Sequence, residues 1–241
     1  NPKLIISNNQ FITKENYNRL KKKIEDSLGD NIKEAFKEQA INIKTNNQNL
    51  KAIIFSLQEN LGIIKISSVK HFFKSLKPYE FLVLKENNIK ISNHFIYFNP
   101  SVFNKKNKII RWILVNLFMN KGDLKILPNK RIFFNKKKIS GLALSAVGLV
   151  KLENFVIEVS FLEYIFNLFL SEKKEIYHFN FYHVRKLKIP FAAFYEILQY
   201  YKFKKIAGTN FLTYWKKIEE PFYITKQYDE NSPFYVLKKL Q

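Results

Sequence analysis

The chain has 241 residues, 46% of them hydrophobic and 25% charged, a globular composition with room for one large domain or two small ones. A formal net charge of +21 and a pI near 9.8 point to an acidic partner, either nucleic acid or an anionic membrane surface. Cysteine is absent, which excludes disulfides, thiolate zinc sites and cysteine nucleophiles.

Thr13 can cap a first helix in which Tyr17, Leu20, Ile24 and Leu28 recur at helical spacing, with Gly29 as its stop. Asp30 can start a second, turning Ile32 and Phe36 inward. After the polar break Asn46–Asn49, a third carries Leu50, Ile53, Ile54, Leu57 and Leu61 and ends at Gly62. Residues 1–62 therefore read as a helical bundle. Ser68 can cap a short helix to Leu76, and Pro78 opens another to about Glu86. Ile89–Ile91 and Phe95–Phe98 read as two strands around a tight turn at Ser92-Asn93. Asn99-Pro100 then starts a long helix. It would bury Val102, Phe103, Ile109, Ile110, Ile113, Leu114, Leu117 and Phe118, with Lys105, Lys106, Lys108 and Arg111 on its first half.

Lys121 to Ser140 reads as a long loop with a strand at Arg131–Phe134, and it holds the densest positive cluster, Lys130, Arg131, Lys136, Lys137 and Lys138. Strands follow at Gly148–Leu152 and Asn154–Val159. Ser160 and Glu163 form the capping-box pattern of a helix to Leu170. A short helix near Phe181–Lys186 precedes Pro190, placed as the first residue of a helix to Tyr201. Lys202–Ile206 and Thr209–Trp215 read as a hairpin turning at Ala207-Gly208. Three helices closed by a hairpin is the winged-helix order. The fold class is α+β, mainly helical: a helical bundle over 1–62, then a helix pair, hairpin, long helix and basic loop over 63–145. A winged-helix-like unit over 146–216 and a tail over 217–241 complete it. No internal repeat is visible.

Catalytic chemistry finds little footing. An ATPase loop needs glycines leading into a lysine, and none of the six glycines is followed by lysine. His178 and His183 lack the helical i, i+4 spacing of a metalloprotease pair and read as surface or packing residues. The acidic pairs Glu25-Asp26, Glu219-Glu220 and Asp229-Glu230 read as solvated, and no G-x-S-x-G elbow occurs. No catalytic residue, metal ligand or cofactor site is assigned. No apolar run approaches the ~20 residues that span a bilayer, so no membrane partner is expected.

Nucleic acid fits better. Basic residues interleave with aromatics in Phe133–Lys138 and again in Tyr200–Lys205, where lysines can neutralise phosphates and exposed rings can stack on bases. Two features weigh against a broad claim. Lysine-, isoleucine-, asparagine- and phenylalanine-rich composition is what an AT-rich genome produces, and most of the 24 phenylalanines and 13 tyrosines must be core. The four arginines, Arg19, Arg111, Arg131 and Arg185, leave room for few bidentate contacts. The helix Pro190–Tyr201 offers Ala192, Glu196 and Gln199 on its outer face and no positive charge, a poor surface for reading bases in the major groove. The candidate backbone-contacting residues are Lys105, Lys108, Arg111, Lys130, Arg131, Lys136, Lys137, Lys138, Arg185, Lys204 and Lys205.

Several segments resemble the C-terminal region of superfamily-two helicases of the mitochondrial degradosome type and their bacterial relatives. They are Leu57–Gly62, Lys85–Asn88 and Ile89–Pro100, beside the family's helix ending in Gly, helix pair and "G-x-R-x-G…v-F-x-P" strand. Asn88 and Asn93 stand where that pattern has glycines, a replacement asparagine can cover by adopting left-handed backbone. Ile157–Glu163 is similar to the family's "V-R-x-D-x-L-E", with only the closing Leu-Glu unchanged. The resemblance implies a C-terminal accessory region that folds back on motor domains of the same polypeptide and helps enclose single-stranded RNA or DNA. ATP and magnesium would belong to those motor domains, and the setting would be bacterial cytoplasm or mitochondrial matrix. A start at Asn1-Pro2 rather than methionine agrees with a piece of a longer protein. Two alternatives stay open: an organellar ribosomal protein, and a winged-helix replication protein that binds duplex DNA.

Overall fold

The computed structural model describes residues 14–37, 43, 45–73, 75–119, 130–135, 139–170, 174–209 and 212–217. The fold is mixed α+β, mainly helical, with three small antiparallel sheets of three strands each. After a long first helix, α1 (Lys14–Phe36), a similar order of elements recurs three times among the described residues, with one helix between the first strand and the hairpin in the second unit and two in the others. In the first unit α2 (Gln48–Glu59) leads to β1 (Ile63–Lys65), α3 (Ile66–Phe73), α4 (Pro78–Glu86) and the hairpin β2 (Ile89–Ile91) and β3 (Phe95–Phe98). In the second, a 3-10 turn at Pro100–Phe103 precedes α5 (Lys105–Phe118), β4 (Ile132–Phe134), α6 (Gly141–Ser145) and the hairpin β5 (Leu149–Lys151) and β6 (Phe155–Glu158). The third runs α7 (Val159–Phe169), β7 (Tyr177–Asn180), α8 (Phe181–Lys186) and α9 (Phe191–Tyr200). It closes with the hairpin β8 (Phe203–Gly208) and β9 (Leu212–Lys217).

Each sheet puts the unit's last strand in the middle: β1-β3-β2, β4-β6-β5 and β7-β9-β8. Each hairpin is also entered through a residue of positive φ, Asn88 at 58°, Gly148 at 79° and Lys202 at 64°. Asn88 thus uses the left-handed backbone expected of it, whereas Asn93 does not. At Gly148 a Cβ would sit 2.9 Å from the Phe103 ring, so both backbone and space call for glycine. The sequence hides the repeat because order and register recur, while residue identities do not.

The units share cores rather than standing apart. One apolar cluster is built from α7, α9 and the third sheet, and it takes in Ile63, Phe95 and Tyr97 from the first unit and Leu152, Phe155 and Ile157 from the second. Polar contacts make the same junction specific. Glu163 on α7 is buried, and its Oε2 accepts the Asn93 N–H at the turn of the first hairpin, 3.2 Å away. Glu196 on α9 accepts the backbone N–H of Asn154 at 2.8 Å and that of Phe155 at 3.3 Å, at the turn of the second hairpin. The Asn154 side-chain amide donates to the other oxygen of Glu196 at 2.8 Å. Beside Glu163, the Tyr201 hydroxyl donates to its Oε1 at 3.3 Å, and His94 Nδ1 lies 3.4 Å from the same oxygen. Two hairpin tips are therefore tied to the third unit by charged acceptors, each such hydrogen bond worth roughly 1.5–3 kcal/mol.

Arg111 joins three elements from inside. Its side chain is 0% exposed, and its donors go only to backbone carbonyls: Ala35 at 3.2 Å, Leu61 at 3.0 Å, and Ala146. These carbonyls lie at or just past the C-terminal ends of α1, α2 and α6, where unpaired acceptors and the negative pole of each helix favour a cation. The rings of Phe36 and Phe103 flank the guanidinium at 4.8 Å and 5.2 Å. Burial lowers its pKa to about 10, which leaves it charged at neutral pH.

Several expectations are corrected by these contacts. Helix α1 runs through Gly29 without stopping, no separate helix starts at Asp30, and Leu20, Ile24 and Leu28 are exposed. Among the described residues of 1–62 the main packing is not that of a bundle: α1 packs on α5, while α2 packs on α3 and β1. Helix α5 starts at Lys105, capped by Asn104 whose side chain accepts the Asn107 N–H, not at Pro100. It is also rolled: Trp112 and Val115 go inside with Arg111, and Ile109, Ile113, Leu117 and Phe118 face out, the last 85% exposed. The carbonyls that need Arg111 decide that roll. The Ser160–Glu163 capping box is absent, since Ser160 donates to Glu158 and Glu163 serves the first hairpin. Pro190 is the N-cap of α9 rather than its first residue, and Glu196 faces inward. Strands β1 and β7 and helix α6 occupy stretches for which the sequence pattern marks no element. Thr13 and the tail beyond Lys217 lie outside the described residues.

Replacing Arg111 with alanine should lower unfolding stability by about 2–4 kcal/mol, through three stranded carbonyls and a cavity. Urea denaturation, with exposed Lys105→Ala as a near-neutral control, measures it. A second expectation concerns alkali. Burial first, then the charge of Glu163, pushes the phenols of Tyr97, Tyr200 and Tyr201 above their ordinary pKa of 10. The unfolded chain then releases those protons first, so their contribution is complete below about pH 10 and fades as pH rises beyond it. Urea midpoints should fall above about pH 10, and less steeply in Tyr201→Phe.

Candidate nucleic-acid interface

The three sheets differ in what they show to water. Strand β3 is buried at all four residues, and β6 is buried at Phe155, Val156 and Ile157. The third sheet alternates instead. In β7, Tyr177 and Phe179 point inward while His178 and Asn180 are exposed; in β9, Thr213 and Trp215 are buried while Tyr214 and Lys216 are exposed. This period of two is what a sheet with one covered and one open face requires. The inner face is satisfied, with Trp215 Nε1 donating to Thr213 Oγ1 at 2.9 Å.

Register composes the open face. His178 pairs with Tyr214, which pairs with Ala207; Lys216 pairs with Lys204. One exposed ring is thus flanked by an imidazole and followed along the strands by two lysines directly across from each other. A bulge between Lys205 and Ala207 shifts the edge strand, and Lys205 reaches back so that its Nζ lies 5.7 Å from the Tyr195 ring centroid. Two like charges opposite one another destabilise a sheet, and a bound anion relieves that repulsion.

The surroundings reinforce the sign. Between Ile176 and Lys217 the chain has eight lysines and arginines and one acid, Glu196, which is buried against the second hairpin. Among the described residues, Lys202, Lys204, Lys205 and Lys216 make no ion pair with a carboxylate, unlike Lys106, which pairs with Glu34 at 3.0 Å. Such a face can hold phosphates by charge and a base by stacking on Tyr214.

The sequence-derived candidates fare unevenly. Lys204 and Lys205 lie on this sheet, and Arg185 is exposed on α8 of the same unit. Lys105 and Lys108 sit at the start of α5, and Lys130 and Arg131 are exposed just before β4, with Arg131 5.6 Å from the Phe161 ring centroid. These four lie on elements of the second unit, away from the strands of the third sheet. Arg111 is withdrawn, because a side chain enclosed by three carbonyls cannot reach a ligand. Lys136, Lys137 and Lys138 lie outside the described residues. Lys216, His178 and Tyr214 were missed, since only strand register brings them together. His178 is indeed on the surface, and His183 accepts the Asn180 N–H at 3.3 Å as part of the cap of α8.

Among the described residues no group of His, Asp or Glu could hold a metal ion, and no helix is long and apolar enough to cross a membrane. No family model, curated protein or solved structure matches the chain. Turning one lysine of the facing pair into an acid tests the geometry directly. Lys204→Glu should raise stability by about 0.2–1 kcal/mol through its new cross-strand partner Lys216, read from urea midpoints at low salt, with the gain shrinking as salt rises.

Proposed function

We propose that this chain is a nucleic-acid-binding region made of three winged-helix-like units, which grips single-stranded RNA or DNA by its backbone through the open face of the third sheet. The observation that carries the reading is the composition of that face: His178, Tyr214, Lys204 and Lys216 in register and exposed, with neither lysine in an ion pair. Lysine charge confers affinity and salt dependence, while an exposed ring stacks on any base, so the contact is sequence-tolerant.

Specific duplex reading is the weaker alternative. A helix that reads the major groove needs polar side chains on its outer face. Here α9 turns Glu196 inward and leaves Ala192 and Gln199 outside, while α4 exposes Tyr79 and Leu82. In this reading the hairpin, not the third helix, meets the nucleic acid.

The resemblance to degradosome-type helicases extends the proposal: the chain would be the C-terminal accessory region of an ATP-dependent helicase, inert as an enzyme alone and packed on motor domains. Supporting this, α5 presents Ile109, Ile113, Leu117 and Phe118 outward beside exposed Leu20, Ile24 and Leu28 of α1. An apolar stripe of that extent suits a protein partner.

Fluorescence anisotropy with labelled oligouridine and oligothymidine, across a series of salt concentrations, tests the binding face. Lys204→Ala with Lys216→Ala should weaken binding and lower the log–log salt slope by about 1.4, two phosphates at ~0.7 each for single strands. Equal affinity and slope in the variant and the parent chain would refute the assignment.

A further inference from the structure

A cleft of about 190 Å3 opens where all three units meet. Lys65 and Phe95 line it from the first unit, Ser145, Leu149 and Lys151 from the second, and Tyr200 from the third. Each wall comes from a different repeat of the same architecture, so no single unit could form it. The space is smaller than the ~300–1,000 Å3 of pockets that enclose drug- or cofactor-sized ligands. It suits one planar ring or one phosphate group.

Its chemistry is that of an anion site with an aromatic wall. No carboxylate lines it, and Lys65 and Lys151 are both exposed and unpaired with acids among the described residues. Lys65 Nζ stands 5.2 Å from the centroid of the Tyr200 ring, and that ring lies nearly parallel to Phe95, at 12°. The Tyr200 hydroxyl has no hydrogen-bond partner although it is shielded from water. Burial and the charge of Glu163 keep it protonated, so it remains a donor. The ring therefore stays neutral, and the positive charge at the cleft comes from Lys65 and Lys151.

The chain leads from the cleft to the edge strand of the open sheet. Tyr200 is the last residue of α9, exposed Lys202 makes the left-handed turn after it, and Lys204 follows on the outer face of β8. We propose that the junction cleft is a nucleotide subsite of the same binding path. It seats one base of the strand held by the third sheet against Tyr200, Phe95 and Leu149, while the adjoining phosphate stays at the rim, within reach of exposed Lys65 and Lys151. The proposal rests on single-strand binding by the third sheet.

The test uses the full chain and an oligouridine of about twelve nucleotides, within the usual site size of single-strand binders. Lys65→Ala with Lys151→Ala should weaken binding about tenfold and lower the salt slope by about 1.4. Tyr200→Phe, which keeps the ring and removes the hydroxyl, should weaken it less. An abasic position walked along the oligonucleotide should reduce affinity at two places for the parent chain, one for the base on Tyr214 and one for the base in the cleft, and only at the first for the double lysine variant. Full affinity in that variant, alongside a loss in Lys204→Ala/Lys216→Ala, overturns the subsite and leaves the sheet assignment standing; full affinity in both overturns both. An abasic walk without the second sensitive position overturns the nucleotide assignment. Tight binding of uridine monophosphate that ignores the sheet variants would overturn it too, making the cleft a free-nucleotide site. Both lysines are exposed, so unchanged melting temperatures verify that the variants fold.

Discussion

Two buried carboxylates organise this molecule. Glu163 on α7 and Glu196 on α9 accept backbone amides from the turns of the first and second hairpins, and the apolar residues behind those turns join the core of the third unit. A hairpin tip normally faces water, which satisfies its amides at no loss. Here the tips are enclosed, and a charged acceptor from another unit replaces the water. Because the first two sheets are pinned this way, their middle strands are covered on both sides. Among the described residues no further unit receives the third hairpin, and its sheet keeps an open face.

That asymmetry turns a diffuse property into a local one. A net charge of +21 spread over a surface says little about where an anion binds. Glu196, the one acid between Ile176 and Lys217, is taken inside to hold a neighbouring turn and so does not offset the lysines of the open face. The facing pair Lys204 and Lys216 then concentrates repulsion at one place on a rigid, twisted surface. The same residue that fastens the second unit therefore sharpens the potential of the third.

Much of the local structure was legible in the chain. Pro78, the helix end near Glu86, the Ser92-Asn93 turn and the Phe181–Lys186 run marked elements that the structure places within a residue or two. Local rules failed where distant residues decide. The apolar positions of α5 cover two sides of a helix, and only the carbonyls of Ala35, Leu61 and Ala146 select the side that carries Arg111. Ser160 and Glu163 have the right spacing for a cap, yet Glu163 is taken by Asn93, a partner 70 residues away. At the site, the basic-aromatic run Tyr200–Lys205 pointed to one strand of the sheet. The opposite strand stayed hidden because register is not written in spacing. The junction cleft was hidden more deeply, since Lys65, Lys151 and Tyr200 belong to three units.

Arg111 bears on how far the threefold recurrence can be taken literally. Repeats of one design suggest beads that could be cut apart and studied singly. The guanidinium lies in the second bead, yet two of its three acceptors belong to the leading helix and the first. A fragment starting at the second bead would carry a sequestered positive charge missing most of its ligands, and one ending before it would leave helix ends bare. The recurrence is therefore one of pattern, and the indivisible physical object is the whole array.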